Sequence, residues 1–303
     1  MTDQHMPGSH VISRSSAPPA VKRMGRRVSR AVGRGTAALR MTPDFLLVGV
    51  QRAGTTALHR ALAAHPATVS PVFHKGVNYF DLSYYKGPSW YRGHFPMRAL
   101  AERRAGDVPG GPRPFESSGY YMFHPCAPER IRHDLPDVKL LVSLRDPVER
   151  AFSQYRREIA GGFETEQSFE RALELEPERL AGEADRMRAD PRYASYSHRH
   201  HSYVAKSEYV DQVRQLLDLF GRDQVLVVDS ETFLAEPQRT YDQILDFLGL
   251  PPYQPPAFGR WNTRSAPQPL AEATRRRLEA HFEPYDTALG ELLGRPLAWR
   301  ANR

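Results

Sequence analysis

The sequence predicts an α/β domain built around a mainly parallel sheet. Three observations carry that expectation. Short continuous apolar runs of strand length alternate with amphipathic stretches of helix length along the chain. The runs are apolar at consecutive positions, which suits strands covered on both faces. Glycine-bearing or proline-bearing turns separate them. The first run is Phe45-Leu46-Leu47-Val48-Gly49-Val50, just after Thr42-Pro43. A helix over 56–63 is expected to follow it. Residues 139–144 (Lys-Leu-Leu-Val-Ser-Leu) read as a second buried strand, and a helix is expected to start near Val148, after Pro147 at a favoured first-turn position. A third helical stretch runs from Tyr203 to Phe220, stopped by Gly221, and residues 225–228 form a third strand. Residues 238–248 make a fourth helix ended by Gly249, and 270–293 closes the chain as two helices broken near Pro284. The polar, Pro- and Gly-rich stretches 85–115 and 176–202 are expected to be long loops.

Composition limits the function classes. The chain has 303 residues, 40% hydrophobic and 25% charged, enough for one globular domain with a large core. It contains no stretch of about 18 apolar residues, and its N-terminus lacks the apolar segment of a secretory signal. A single cysteine, Cys126, excludes an internal disulfide. Together these features lead us to expect a cytoplasmic protein. The net charge of +7 is concentrated at one end: residues 1–41 carry eight Lys and Arg against Asp3 alone, and the rest of the chain is balanced. Residues 1–41 are therefore expected to form a disordered basic leader and 42–303 the folded domain. Within the leader, 21–40 could lie as a short helix on an anionic surface, such as that of a membrane. A balanced body argues against nucleic acid as the partner.

The most informative segment is 49–56, Gly-Val-Gln-Arg-Ala-Gly-Thr-Thr. It lies where a strand hands over to a helix, and the free N–H groups there favour an anion. The spacing is that of the nucleotide-binding loop G-x-x-x-x-G-K-[ST], except that Thr55 stands where the lysine should be. Arg52 is the one cation inside the loop. Read by itself, the segment could equally be a tight strand–helix turn. In the second segment, 144–155, Arg145 ends a strand at the edge where α/β proteins bind ligands, and Ser153 lies one turn beyond Glu149 on the following helix. Arg145 and Ser153 could share one phosphate, as fork and hydroxyl, or Arg145 could pair with Asp146 or another acid. The His198-Arg199-His200-His201 run has the composition of a metal cluster but lacks supporting carboxylates or cysteines, and no metal is expected.

Taken together, VGVQRAGTTAL (48–58) and LLVSLRDPVERAFSQY (140–155) resemble the sulfotransferases that use 3′-phosphoadenylyl sulfate (PAPS), most of all the heparan sulfate N- and 3-O-sulfotransferases and their bacterial relatives. Residues 74–81 and 86–91 are similar to the family's KE-x-x-FFD and KG-x-x-WY segments, and Glu116–Tyr121 to its EK-[ST]-P-x-Y. The resemblance implies a P-loop-like three-layer fold and an in-line transfer of a sulfuryl group to a hydroxyl or amine of a glycan, glycolipid or small molecule, with no metal. It places Arg52, Ala53, Gly54, Thr55, Thr56 and Ala57 around the 5′-phosphosulfate. Arg145 and Ser153 take the 3′-phosphate, and Asn262, Thr263 and Arg264 belong to a loop over the nucleotide. Arg52 stands at the position of the family lysine that stabilises the leaving oxygen. The family's base glutamate is Gly76 here, its histidine Asn78, and its EK-[ST]-P lysine Ser117. The proton acceptor must then be sought among His74, Asp81 and Glu116. Three other readings stay open: a catalytically impaired PAPS-binding homologue, a nucleotide kinase, and a silent body carried by its basic leader.

Overall fold

The computed structural model describes residues 33–302 apart from 73–74, 107 and 259–268. Five parallel strands, β1 (Phe45–Gly49), β2 (Thr68–Val69), β3 (Arg113–Ser117), β4 (Lys139–Leu144) and β5 (Val225–Asp229), form one sheet in the order β2-β3-β1-β4-β5. The apolar runs fix the centre: β1 is buried at every position, with β3 and β4 on either side of it. Alternate residues face opposite layers. Leu46, Val48, Leu140 and Val142 join a core with α2 (Ala127–Asp134), α5 (Tyr209–Phe220) and α7 (Glu272–Leu293). Phe45, Leu47, Phe115 and Leu141 pack on the other face against Leu58 and Leu62 of α1 (Thr55–Ala64) and Tyr241 and Ile244 of α6 (Pro237–Leu248). The three-layer α/β expectation holds. A third cluster joins α3 (Pro147–Gly161) to α4 (Phe169–Leu180) through Tyr155, Phe169 and Tyr203.

Several local expectations are corrected. Residues 270–293 are not two helices: α7 runs unbroken through Pro284. A proline inside a helix costs roughly 3 kcal/mol, but α7 is fixed on both sides of it. Leu278 and Phe282 are buried before Pro284 and Leu289 after it, and Trp299 Nε1 donates to Asp286 at 3.0 Å. The stretch 176–202 holds the end of α4 and the helices Glu183–Ala189 and Tyr196–His200. Its polar side chains pair locally, Arg186 with Glu183 and Arg188 with Asp185, while Met187 fills the one buried position of its helix. Likewise 85–115 contains the helices Pro88–Arg92 and Arg98–Ala105 and most of β3. The helix expected from Tyr203 begins at Tyr209, after a 3₁₀ turn at Ala205–Ser207. The folded part also starts before Thr42: Met41 is in the core, and Arg40 donates to Phe95 O at 2.5 Å. Residues 1–32, the bulk of the basic leader, lie outside the described residues.

Candidate active site

The loop between β1 and α1 leaves the carboxyl edge of the sheet at its centre, where strand order puts β3 on one side and β4 on the other. Val50 N donates to Ser143 O at 2.8 Å, and Ser143 Oγ donates to Ala53 O at 2.5 Å, so the loop is tied to β4. Gly54 sits at φ +74° as the residue before α1, a conformation that favours glycine. Arg52 adopts φ +77°, a left-handed conformation costing about 1–2 kcal/mol for a side-chain-bearing residue. The first turn of α1 has no side-chain cap and no acid. Its positive end is left for an outside anion.

On the β4 side, the residues expected at the 3′-phosphate meet Arg52. Arg52 Nε donates to Ser153 Oγ at 3.0 Å, and Arg145 donates to Arg52 O at 3.3 Å. The acid beside Arg145 is Glu149 at 3.5 Å, which is held more closely by Arg275 at 2.6 Å. Asp146 instead caps α3, accepting from Val148 N and Glu149 N. Two further cations, not singled out by the sequence, lie beneath. Arg150 is fully buried, donating to Ser207 Oγ, Gln154 Oε1 and Tyr203 O. Lys206, also fully buried, donates to Gln51 Oε1 in the loop and to Arg199 O, with the rings of Tyr120 and Phe123 5.2 and 5.3 Å away. Burial pushes Arg52, Arg150 and Lys206 down from their usual values; Arg145 adds to the effect on Arg52, and Arg150 to that on Lys206. Among the described residues none of the three forms an ion pair. Glu158 and Glu176 act on these cations through space without pairing with them.

On the β3 side, the segment 75–78 runs along the end of β3. Ser117 N donates to Lys75 O at 3.0 Å, and Val77 N donates to Glu116 Oε2. Lys75 Nζ reaches the hydroxyls of Thr55 and Thr56 at 3.5 and 3.4 Å. Burial, reinforced by Arg60, lowers its ammonium to about 8. Lys75 stands at the lysine of the segment that resembles KE-x-x-FFD, and its reach to the loop twenty positions away was not legible in the sequence. Gly76 is hemmed in, since a Cβ there would stand 2.3 Å from Ser117 O and 2.5 Å from Ser118 Oγ. Glu116 is fully buried and accepts from Tyr91 OH and Tyr121 OH, both at 2.8 Å, from Ser118 Oγ at 3.2 Å, and from Val77 N. Burial raises its carboxyl to about 7 against the pull of those donors. Asp81 is nearly buried and accepts from Asn78 Nδ2 at 2.9 Å and Leu82 N at 2.7 Å; burial raises it to about 6. His74 and the loop bearing Asn262, Thr263 and Arg264 lie outside the described residues.

The histidine run diverges. His198 Nδ1 shares a 2.7 Å hydrogen bond with Tyr120 OH, His200 Nδ1 meets Glu158 at 2.8 Å, and His201 Nε2 meets Phe163 O at 3.0 Å. Among the described residues no group of three His, Cys, Asp or Glu side chains is placed to hold a metal. Likewise, no helix among them is long and apolar enough to cross a membrane.

Comparison with known proteins gives these features a context. A family model described as "Sulfotransferase domain" matches residues 42–257. A solved sulfotransferase from Alicyclobacillus acidocaldarius is 30% identical, with a TM-score of 0.61 over 86% of this chain and 99% of its own. The bifunctional heparan sulfate N-deacetylase/N-sulfotransferase 2 of Bos taurus is 28% identical over 70% of this chain, and the heparan sulfate glucosamine 3-O-sulfotransferase 5 of Mus musculus 27% over 69%. The matches span 22% and 54% of those two proteins. With the family model covering most of the folded part and a full-length structural relative of the same kind, the chain belongs to the sulfotransferase family.

Proposed function

We propose that the protein moves the sulfuryl group of PAPS to a hydroxyl or amine acceptor by in-line displacement. The observation that carries this reading is the contact of Arg52 with Ser153 beside Arg145, over the buried Arg150 and Lys206, at the carboxyl edge of the sheet. A donor with phosphate at one end and phosphosulfate at the other offers negative charge to both ends of such a site. The residues present fit that group. The N–H groups of the loop and of the first turn of α1, over residues 52–57, receive the 5′-phosphosulfate. Arg145 and Ser153 receive the 3′-phosphate; the resemblance assigns Asn262, Thr263 and Arg264, outside the described residues, to the nucleotide as well. In the displacement the acceptor oxygen or nitrogen bonds to sulfur as the bond from sulfur to the bridging oxygen breaks. The electron pair stays on that oxygen, where Arg52 meets the charge.

The proton of the acceptor needs a base, and the carboxylates on this side differ in their freedom. All four contacts of Glu116 are with donors, so it acts as the anchor of segment 75–78. Asp81 is tied to Asn78 and the backbone of Leu82. His74, next to Lys75, is the base in this proposal, because imidazole is the side chain whose ordinary value suits such a role. The acceptor is a glycan, glycolipid or small molecule; the names of the relatives favour a glycan. A second reading, a PAPS-binding protein without turnover, draws on Gly76, which removes the family's base. Incubation with labelled PAPS and fractionated cell extract separates the two: label transferred to any fraction supports the enzyme. A protein that binds 3′-phosphoadenosine 5′-phosphate (PAP) but labels nothing supports the second reading.

A further inference from the structure

We propose that Lys75 is a catalytic residue whose ammonium contacts the sulfuryl end of PAPS, opposite the arginines that hold the nucleotide. The inference rests on the PAPS reading above and adds a residue to it.

Four observations meet at this side chain. First, Lys75 Nζ lies at the first two residues of α1, 3.5 and 3.4 Å from Thr55 Oγ1 and Thr56 Oγ1. A cation there opposes the positive end of the helix dipole, so the arrangement is unfavourable until an anion sits between them. Second, the charged groups facing it do not supply that anion. Arg60 on α1 is like-charged, and His59 is held below its usual range by burial and by Lys75 itself. Among the described residues Lys75 makes no ion pair, although its ammonium is largely removed from water. A buried cation without a counter-ion is costly, and it persists where function requires it.

Third, the position is built. Lys75 O accepts from Ser117 N, and the next peptide is bonded to the buried carboxylate of Glu116. A flexible surface lysine would have no such scaffold. Fourth, strand order separates the two sides of the loop. Arg145 and Ser153 follow β4, whereas Lys75 is fastened to β3, on the other side of β1. With the 3′-phosphate on the β4 side, the end of the donor that lies toward β3 is the phosphosulfate, and its outermost atoms are the sulfuryl oxygens. Thr55 occupies the place of the lysine in a nucleotide-binding loop. Lys75 brings an ammonium to that place from a different segment. During transfer it holds the sulfuryl oxygens while the sulfur changes partners; no proton leaves it.

The test compares PAPS with PAP, which lacks the sulfuryl group, on wild type, Lys75→Met and Arg145→Ala. By calorimetry, Lys75→Met should weaken PAPS by about 10–100-fold, the worth of a charge-assisted contact, and change PAP by less than about threefold. Arg145→Ala should weaken both ligands alike. Removing an unpaired cation should leave the ligand-free melting temperature of Lys75→Met unchanged or higher, which separates a lost contact from a lost fold. Turnover should fall by about 10²-fold or more. Equal losses for PAP and PAPS, or no loss for either, would overturn the assignment of Lys75 while leaving the PAPS site standing. A wild-type protein that binds neither ligand would overturn the site itself, and Lys75 with it.

Discussion

Arg52 Nε and Ser153 Oγ are hydrogen-bonded at 3.0 Å although 101 positions separate them in the chain. The side chain proposed to meet the leaving oxygen thus touches the hydroxyl proposed to meet the 3′-phosphate. If Arg52 meets charge that develops only during transfer, its loss appears in kcat rather than in the affinity for PAP. Arg52→Ala should slow turnover by about 10²-fold or more, by comparison with removal of an oxyanion donor. Arg52→Lys keeps a cation and should retain substantial activity. Steady-state kinetics alongside PAP titration decide the matter. An alanine variant with full turnover and weakened PAP binding would make Arg52 an anchor only.

Arg145 tests the other end of the donor. The acid paired with it among the described residues, Glu149, is 3.5 Å away and bound more closely to Arg275, and Glu231 acts on it only through space, so the guanidinium remains available to a phosphate. PAP should raise the melting temperature of the protein well above the rise given by ATP, which has no 3′-phosphate. Arg145→Ala should erase that preference, because it deletes a charge-assisted pair worth about 1.5–3 kcal/mol. Equal stabilisation of the wild type by PAP and ATP would count against the proposed nucleotide pose.

What the sequence revealed follows from where each signal lies. β1, β4 and β5 are continuous apolar runs, and they were legible because a strand covered on both faces must be apolar throughout. β3 was not, since Arg113, Pro114, Glu116 and Ser117 give it a polar composition; its buried glutamate is tolerated only because four donors surround it. β2 has two residues, too few for any pattern. The helices within 176–202 are short, and their charged side chains look like those of a loop until their local pairing is seen. In the site, Arg52, Gly54 and Thr55 sit in one contiguous motif and were legible. Lys75 and Arg150 fall inside segments that resemble the family's, but their burial and that of Lys206 were not legible, because nothing local in a sequence shows which cations the fold will cover.

Glu116 gives a prediction in pH. Burial raises its carboxyl from the ordinary 4.5 to about 7 in the folded protein. An acid whose folded value is raised favours the fold in its protonated form. That contribution is present in full below about 4.5 and is lost as pH rises through 7. Glu116→Gln is neutral at every pH, so its stability lacks this dependence. The melting temperature of the wild type minus that of Glu116→Gln should therefore decrease between pH 5 and pH 8. A flat difference would mean that the carboxyl does not titrate in this window. As the anchor of segment 75–78, Glu116 should also allow the glutamine variant to keep kcat within about tenfold, whereas loss of a general base typically costs about 10²–10⁴-fold.

Gly76 replaces the family's base, and the structure supplies a reason to expect that the glutamate cannot simply be restored. A Cβ at position 76 would stand 2.3 Å from Ser117 O and 2.5 Å from Ser118 Oγ, far inside contact distance. The hydroxyl could turn away. The carbonyl cannot, since Ser117 ends β3 and pairs in register with Leu47 of β1, while its N–H is bonded to Lys75 O. Gly76→Ala should therefore destabilise the protein by about 1–3 kcal/mol, the usual cost of forcing atoms into a packed site. Adding Ser118→Gly should recover only part of the loss, because the carbonyl contact remains. Gly76→Glu should be less stable still and gain no activity, since making room for it moves the strand-bound segment and draws Lys75 away from Thr55 and Thr56. Thermal melts of the three variants and a sulfuryl-transfer assay of Gly76→Glu test this. A Gly76→Ala protein as stable as wild type would show that the segment yields at little cost. A Gly76→Glu protein faster than wild type would show that the glycine marks only a lost base.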